Sequence, residues 1–363
     1  MRQPKTLYVH VGHYKTGTTA LQAFLSHNAK KLRRHGLDYT DLFCHLHKHS
    51  KYAFSLYRGA GVTTLMHGYN DPTRGETIWA KLFEAVQASP ADRVLISSEE
   101  FMRLGAHPAA AARLKAIVGQ APAGIDFRII AYLRSPGAHL RSWYNQMVKM
   151  SAATSDYNTA VCQVMEPVHY DYGLALKPWI EIFGPEAVIV RPYDEAFRHN
   201  GGLFRDFLSL FGFDYDNPPG VRGWAVPEQD LNPRMDDRLL ELARALHLAG
   251  VPADLGHWIT HRAETVLKQQ DAEARAGAKG FDTVAAEVQQ GLASLRALPG
   301  CGVDLDAFHT DLPRPEAPWR ADLGLVLATL LREQNLLRER MQARTDELRS
   351  RIAALEARMK QDN

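Results

Sequence analysis

Short apolar runs rich in β-branched residues alternate with longer stretches of helical periodicity along roughly the first 215 residues, the pattern of a mostly parallel sheet covered by helices. Leu7–Gly12, Arg93–Ser98, Phe127–Arg134 and Ala187–Tyr193 read as strands, with a shorter one at Leu37–Tyr39. Helices are predicted between them over Gly17–Arg34, Thr77–Ala88, Pro108–Val118, Pro136–Met150 and Leu203–Phe211. The fold class expected is α/β.

The turn-rich stretch Asp214–Gly223 marks a boundary, and the pattern beyond it is helical. Asn232 followed by Pro233 suits an N-cap and first helical position, opening a helix to about His247. Two more are predicted over Leu255–Ala274 and Phe281–Leu298, the last stopped by Pro299 and Gly300. From Asp322 to Lys360 the chain has no proline, and Leu330, Gln334, Leu337, Met341, Thr345, Leu348, Ile352, Leu355 and Met359 recur three or four apart. That is a heptad seam with one stutter, which predicts a coiled-coil-like helix and a homo-oligomer formed through residues 322–363; one amphipathic helix folded back on the main domain is the alternative. The domains expected are a core over 1–223, a helical extension over 224–318 and the C-terminal helix over 319–363. No repeat with a period of 20–50 residues is visible.

Of the 363 residues 45% are hydrophobic and 23% charged, so the chain is neither disordered nor fibrous. Its 43 Lys and Arg against 41 Asp and Glu argue against a broad nucleic-acid or membrane surface. Three widely separated cysteines, Cys44, Cys162 and Cys301, make no disulfide framework and suit a reducing compartment. No apolar run approaches the ~20 residues that span a bilayer, and no targeting stretch opens the chain. A cytoplasmic location without a membrane span is the expectation.

The chemistry concentrates where the first strand ends. After Gly12 comes His13-Tyr14-Lys15-Thr16-Gly17-Thr18-Thr19 and then a helix, which aims backbone N–H groups and a helix N-terminus at one point, a ready anion site. Gly12 and Gly17 have the spacing of the nucleotide-binding loop Gly-x-x-x-x-Gly-Lys-[Ser/Thr], and Thr19 fills its hydroxyl position. Thr18, however, stands where that loop has its lysine, and Lys15 comes three positions early. A second element is the strand end Arg134, followed by a helix on which His139, Ser142, Gln146 and Lys149 share a stripe.

The segment His10–Gln22 resembles the 5′-phosphosulfate loop of sulfotransferases that use 3′-phosphoadenosine-5′-phosphosulfate (PAPS), in particular a bacterial carbohydrate-type branch with Lys-Thr-Gly-Thr-Thr. Arg134 and Ser142, eight residues apart, resemble the family's 3′-phosphate element; Tyr144, Gln146 and Lys149 also look like the bacterial branch. The resemblance covers roughly residues 5–215 and implies a P-loop-type mostly parallel sheet flanked by helices. It implies transfer of a sulfuryl group from PAPS to a hydroxyl of a carbohydrate or glycolipid acceptor, with adenosine 3′,5′-bisphosphate released and no metal required. Lys15, Thr16, Gly17, Thr18, Thr19, Arg134 and Ser142 would bind the co-substrate, with Lys15 also neutralising the departing phosphate oxygen. Gln146 and Lys149 would face acceptor or sulfate.

The base is open between two places. Strand Val94–Ser98 runs into Glu99 and Glu100, and the family's base comes from this strand end; Glu99 aligns best, with Ser98 placed to orient it. The alternation His45, His47, His49 supplies a rival, because imidazole titrates near neutrality, and His49 stands above the others because its His-Ser-Lys-x-Ala stretch looks like the bacterial branch. That alternation does not complete a metal-ligand spacing, so no metal site is expected. Arg191 and Tyr193 end another strand, and Arg222, in a Gly-flanked loop, is the loose counterpart of the family's late basic loop over the nucleotide. Two other functions fit parts of the pattern: a magnesium-dependent kinase or NTPase on the same loop, and a noncatalytic nucleotide-binding scaffold built around the C-terminal helix.

Overall fold

The computed structural model describes residues 4–63, 65, 68–150, 157, 160–193, 197, 199–220, 223–227, 235–275, 289 and 319–361. They belong to two compact units, Met1–Arg234 and Met235–Asn363.

The first unit is built on five strands, β1 Lys5–Gly12, β2 Leu37–Tyr39, β3 Arg93–Ser97, β4 Ile125–Arg134 and β5 Val188–Tyr193. They pair in the order β2-β3-β1-β4-β5, every neighbour parallel, with Leu7 opposite Val94 on one side and Phe127 on the other. From β1 the chain goes to the β2/β3 side and then crosses to β4 and β5. The carboxyl ends of β1, β3 and β4 therefore flank the point where strand order reverses, the place where open parallel sheets bind ligands.

Alternation sends Leu7, Val9 and Val11 into one core and leaves Tyr8 and His10 to the other face. The first core packs against α3 Ser50–Gly59, α4 Gly75–Ala88, α5 Pro108–Val118 and α7 Tyr172–Phe183, with Tyr52, Trp79 and Trp179 fully buried. The second packs against α1 Thr18–His27 and α8 Gly202–Ser209, where Phe24 stacks on Phe204 at 4.4 Å. At ~1.5–3 kcal/mol per fully buried large apolar side chain, these two layers hold the sheet ends in place.

The strands follow the sequence pattern closely; two helix expectations change. The segment expected as one helix over 17–34 breaks at Asn28 into α1 and α2 Ala29–Arg34, because the Asn28 side chain turns back to the Phe24 carbonyl at 2.8 Å. The same side chain exchanges two hydrogen bonds of 2.9 Å with the Ala225 backbone, which ties the chain past residue 223 to the first unit. The helices α3 and α7 are additional to those expected. The second carries Pro178, and the Leu174 carbonyl is approached so closely by Gly105 that a Cβ there would lie 2.2 Å from it.

Two buried histidines brace this sheet. His10 Nδ1 meets Ser97 Oγ at 2.8 Å; His49 binds the Thr40 carbonyl through Nε2 at 2.7 Å and accepts from Ser97 N–H through Nδ1 at 3.2 Å. Burial lowers His10 to about 3 and His49 to about 4, against an ordinary value near 6.5. Both depressed groups stay neutral in the folded chain while the unfolded chain takes up protons, so their stabilisation is complete above ~pH 6.5 and is lost as pH falls to about 4 for His49 and about 3 for His10. Urea unfolding in EDTA should show stability falling below ~pH 6 with a slope of about two protons from these two alone. His49→Gln should remove about one proton from that slope; an unchanged slope would contradict the assignment.

In the second unit α9 Asp237–Leu248 begins behind Asp236, whose side chain accepts from Arg238 N–H at 2.9 Å. The expected Asn232-Pro233 cap and, apart from residue 289, the helix expected over Phe281–Leu298 lie outside the described residues. Leu239, Ala263 and Leu267 form a small core with Leu330, joining α9, α10 Ala253–Arg275 and the start of α11 Trp319–Gln361. Arg262 and Glu333 pair at 2.6 Å along the same contact. Beyond it the seam positions Leu337, Met341, Leu348, Ile352 and Leu355 are exposed. No helix among the described residues is long and apolar enough to cross a membrane.

Candidate functional site

The loop between β1 and α1 is shaped by left-handed backbone at Gly12 (φ 82°), Lys15 (φ 62°) and Gly17 (φ 75°). A Cβ at Gly17 would stand 2.6 Å from the Leu203 side chain, and one at Gly12 would press on Glu99 at 3.1 Å. Glycine is required at Gly17 on both conformational and steric grounds. Thr16 closes the turn by donating to the His13 carbonyl at 2.6 Å, and Thr18 and Thr19 are the first residues of α1, the former buried and the latter exposed. The strand, turn and helix expected from the spacing are therefore present, with the N-terminus of α1 facing the turn.

Lys15 donates to Gln146 Oε1 at 3.1 Å. This contact joins the loop to α6 Pro136–Lys149, and it brings together two motifs separated by more than a hundred residues. Pro136 at the first turn of α6 starts the helix just after Arg134; Arg134 at the strand end and Ser142 within that helix are both buried. The Arg134 guanidinium lies 6.0 Å from the Tyr193 ring centre, and Tyr193 is also within 3.4 Å of where a Gly17 Cβ would be. Tyr193 thus forms a wall common to the loop and to Arg134. Gln146 and Lys149 are half-buried on the same helix.

Glu99 and Glu100 open a 3-10 helix at the end of β3 and are both buried. Lys48 reaches both, at 3.1 Å to Glu99 Oε1 and 2.7 Å to Glu100 Oε1. Burial alone would lower Lys48, but the two carboxylates outweigh it and raise the ammonium to about 12. The remaining contacts separate the two acids. Among the described residues Glu99 Oε2 accepts from Gln22 at 2.8 Å, a residue of α1, whereas Glu100 also takes Ser50 at 3.0 Å and a very short bond from Ser98. Ser98 orients Glu100, not Glu99 as expected. Glu99 is the carboxylate that lies against the loop, since its Cα and Cβ are what a side chain at Gly12 would strike.

His49 does not act as the alternative base. Both ring nitrogens are bound to backbone in a fully buried site, so neither is available to take a proton from a hydroxyl. His45 and His47 are exposed. Arg191 is bonded to Asp206, which also receives the Tyr132 hydroxyl, so it fastens β5 to α8. Arg222 lies outside the described residues. Among the cations of residues 27–58, Arg33 pairs with Asp38, Lys48 with the two glutamates and Lys51 with Asp71.

Two residues that hold Glu99 stand out little in the sequence. Gln22 is visible only as a polar position on an amphipathic helix, and Lys48 only as one more cation. His13, His139 and His169 converge from three elements, with His139 Nε2 at 3.1 Å from His169 Nδ1. A groove lined by Leu104, Gly105, Pro108, Leu174 and Lys177 holds none of the candidate residues.

No family model matches the chain. An uncharacterized protein of Archaeoglobus fulgidus is 32% identical over 87 residues, which are 24% of this chain and 23% of that protein, so the chain matches under a quarter of its relative's length. A sulfotransferase from Alicyclobacillus acidocaldarius is similar over 71% of this chain and 100% of its own, at 18% identity and a TM-score of 0.37. The sulfotransferase domain from the curacin biosynthetic pathway is similar over 58% of this chain and 75% of its own, at 11% identity and a TM-score of 0.29. At that identity and overlap these mark a distant likeness to sulfotransferase-fold chains and no more.

Proposed function

We propose that the first unit transfers the sulfuryl group of PAPS to a hydroxyl of a carbohydrate or glycolipid acceptor. The observation that carries this reading is the Lys15–Gln146 contact, which sets the displaced loop lysine beside the helix that follows Arg134. An adenosine with phosphates at both 3′ and 5′ positions needs two anion sites a nucleoside apart. The loop with the α1 N-terminus supplies one, and the Arg134 fork with the Ser142 hydroxyl supplies the other.

In the reaction the acceptor oxygen forms a bond to sulfur while the bond from sulfur to the bridging oxygen of the 5′-phosphate breaks. Lys15 offsets the negative charge that gathers on that oxygen. The acceptor's proton passes to Glu99, whose Gln22 partner fixes Oε2 near the loop while Lys48 fixes Oε1. Gln146 holds Lys15 in place until the donor arrives, and Lys149 lines the acceptor side. The carbohydrate acceptor follows from the resemblance of Lys-Thr-Gly-Thr-Thr and the α6 stripe to the bacterial branch.

The test is transfer of label. With ³⁵S-labelled PAPS and a mixed polysaccharide and glycolipid pool, label should enter the carbohydrate fraction as adenosine 3′,5′-bisphosphate accumulates in equal amount. Magnesium-dependent loss of the γ-phosphate from ATP, with no label transferred, would favour a kinase or NTPase instead.

A further inference from the structure

His13 follows β1, His139 sits in the first turn of α6, and His169 closes the short 3-10 turn Pro167–His169. Each offers a ring nitrogen, and the three nitrogens lie within 4.8 Å of one another. All three side chains are buried, at 0%, 0% and 2% exposure. The rings of Tyr14, Trp143 and Tyr172 surround them. This cluster has no part in the transfer described above.

Its hydrogen bonds are incomplete in an informative way. His13 Nε2 donates to the Val168 carbonyl at 2.9 Å, which places its proton there and leaves Nδ1 with a lone pair. His13 Nδ1 is buried without a hydrogen-bond partner among the described residues. Buried polar atoms are ordinarily satisfied, so this lone pair within a three-imidazole cluster calls for a ligand. The 3.1 Å between His139 Nε2 and His169 Nδ1 is close to the edge of roughly 3.3 Å between two nitrogens on a tetrahedral ion bound at about 2.0–2.1 Å.

We propose that His13, His139 and His169 form a binding site for a divalent d-block cation, zinc foremost, held by three neutral imidazoles with a fourth position open to water. The donor set selects the metal class: imidazole nitrogen without carboxylate or thiolate suits zinc, cobalt, nickel or copper and not magnesium or calcium. The Val168 carbonyl supplies the outer partner that a metal-bound imidazole usually has. Each ring binds neutral: the hydrogen shared between His139 and His169 moves to His139 Nδ1, and His169 keeps its proton on Nε2. An ion here would tie the segment before Lys15 to the first turn of α6.

The test needs no nucleotide, so it stands or falls separately from the proposed transfer. Full-length protein carrying His45→Ala and His47→Ala, which removes two exposed imidazoles, is stripped with EDTA and titrated with Co²⁺. One equivalent should bind, with the intense visible bands of four-coordinate cobalt, and equimolar Zn²⁺ should abolish them. His139→Gln and His169→Gln should each weaken binding at least about tenfold. Bands that are absent, or binding that these variants leave unchanged, would overturn the site. Should either variant fail to fold, X-ray absorption of the zinc-loaded chain decides: three imidazoles in the first shell support the site, and fewer refute it.

Discussion

Lys15→Ala is expected to lower kcat by about 10²–10³-fold while the dissociation constant for adenosine 3′,5′-bisphosphate changes only a few-fold. The reasoning rests on when charge appears. In bound PAPS the bridging oxygen is shared between phosphorus and sulfur, and full negative charge develops there only as the sulfur bond breaks. A cation opposite that oxygen therefore acts mostly in the transition state, and its loss falls on kcat. Lys15 is suited to this because its left-handed backbone lifts it out of the turn and Gln146 holds its ammonium. Arg134→Ala should show the opposite split. Its partner phosphate is charged before, during and after transfer, so bisphosphate binding should weaken by ~10–100-fold, on the order of 1.5–3 kcal/mol for a charge-assisted bond. Stopped-turnover assays and calorimetry on both variants separate the two roles, and equal binding losses would refute the assignment.

Glu99→Gln is expected to cost about 10²–10⁴ in kcat, the usual worth of a positioned general base, with little change in donor binding. Glutamine keeps the volume and one acceptor, so the fold should tolerate it, whereas the matching change at Glu100 should act through stability. Glu100 is wholly enclosed and holds Lys48, Ser50 and Ser98 together, and its backbone carbonyl receives the Tyr57 hydroxyl at 2.6 Å. Gln at 100 should therefore lower the unfolding midpoint, and Gln at 99 should lower turnover. If both variants lost activity in proportion to lost stability, the pair would be structural and the base would have to be sought elsewhere.

The strands were legible because each carries a short apolar run and those of β1, β3 and β4 are dense and largely buried, and their ends marked Gly12, Glu99 and Arg134 as neighbours. The glycine spacing fixed where the turn lies, and Pro136 fixed where the helix after Arg134 starts. What pattern alone could not provide is convergence. Nothing in the spacing of Lys15 and Gln146, or of His13, His139 and His169, tells that they meet, because contacts of that range depend on how β4, α6 and α7 pack. The same gap misassigned His49. An imidazole in a polar, histidine-rich stretch looks reactive, yet the fold uses both its nitrogens to pin β3 to the Thr40 backbone. Arg191 and Ser98 likewise have local partners, Asp206 and Glu100, that no periodicity announces. The break at Asn28 was masked by good helix formers on either side, with only the asparagine itself hinting at a side chain able to compete with the backbone.

If the β1 loop and the Arg134/Ser142 pair together hold a 3′-phosphoadenosine donor, calorimetry of the whole chain with adenosine 3′,5′-bisphosphate, adenosine 5′-phosphate and ATP will show it. The bisphosphate should bind at least tenfold more tightly than either of the others, without magnesium, and Arg134→Ala should erase that margin. Tighter binding of ATP, or no loss when the 3′-phosphate is removed, would contradict it.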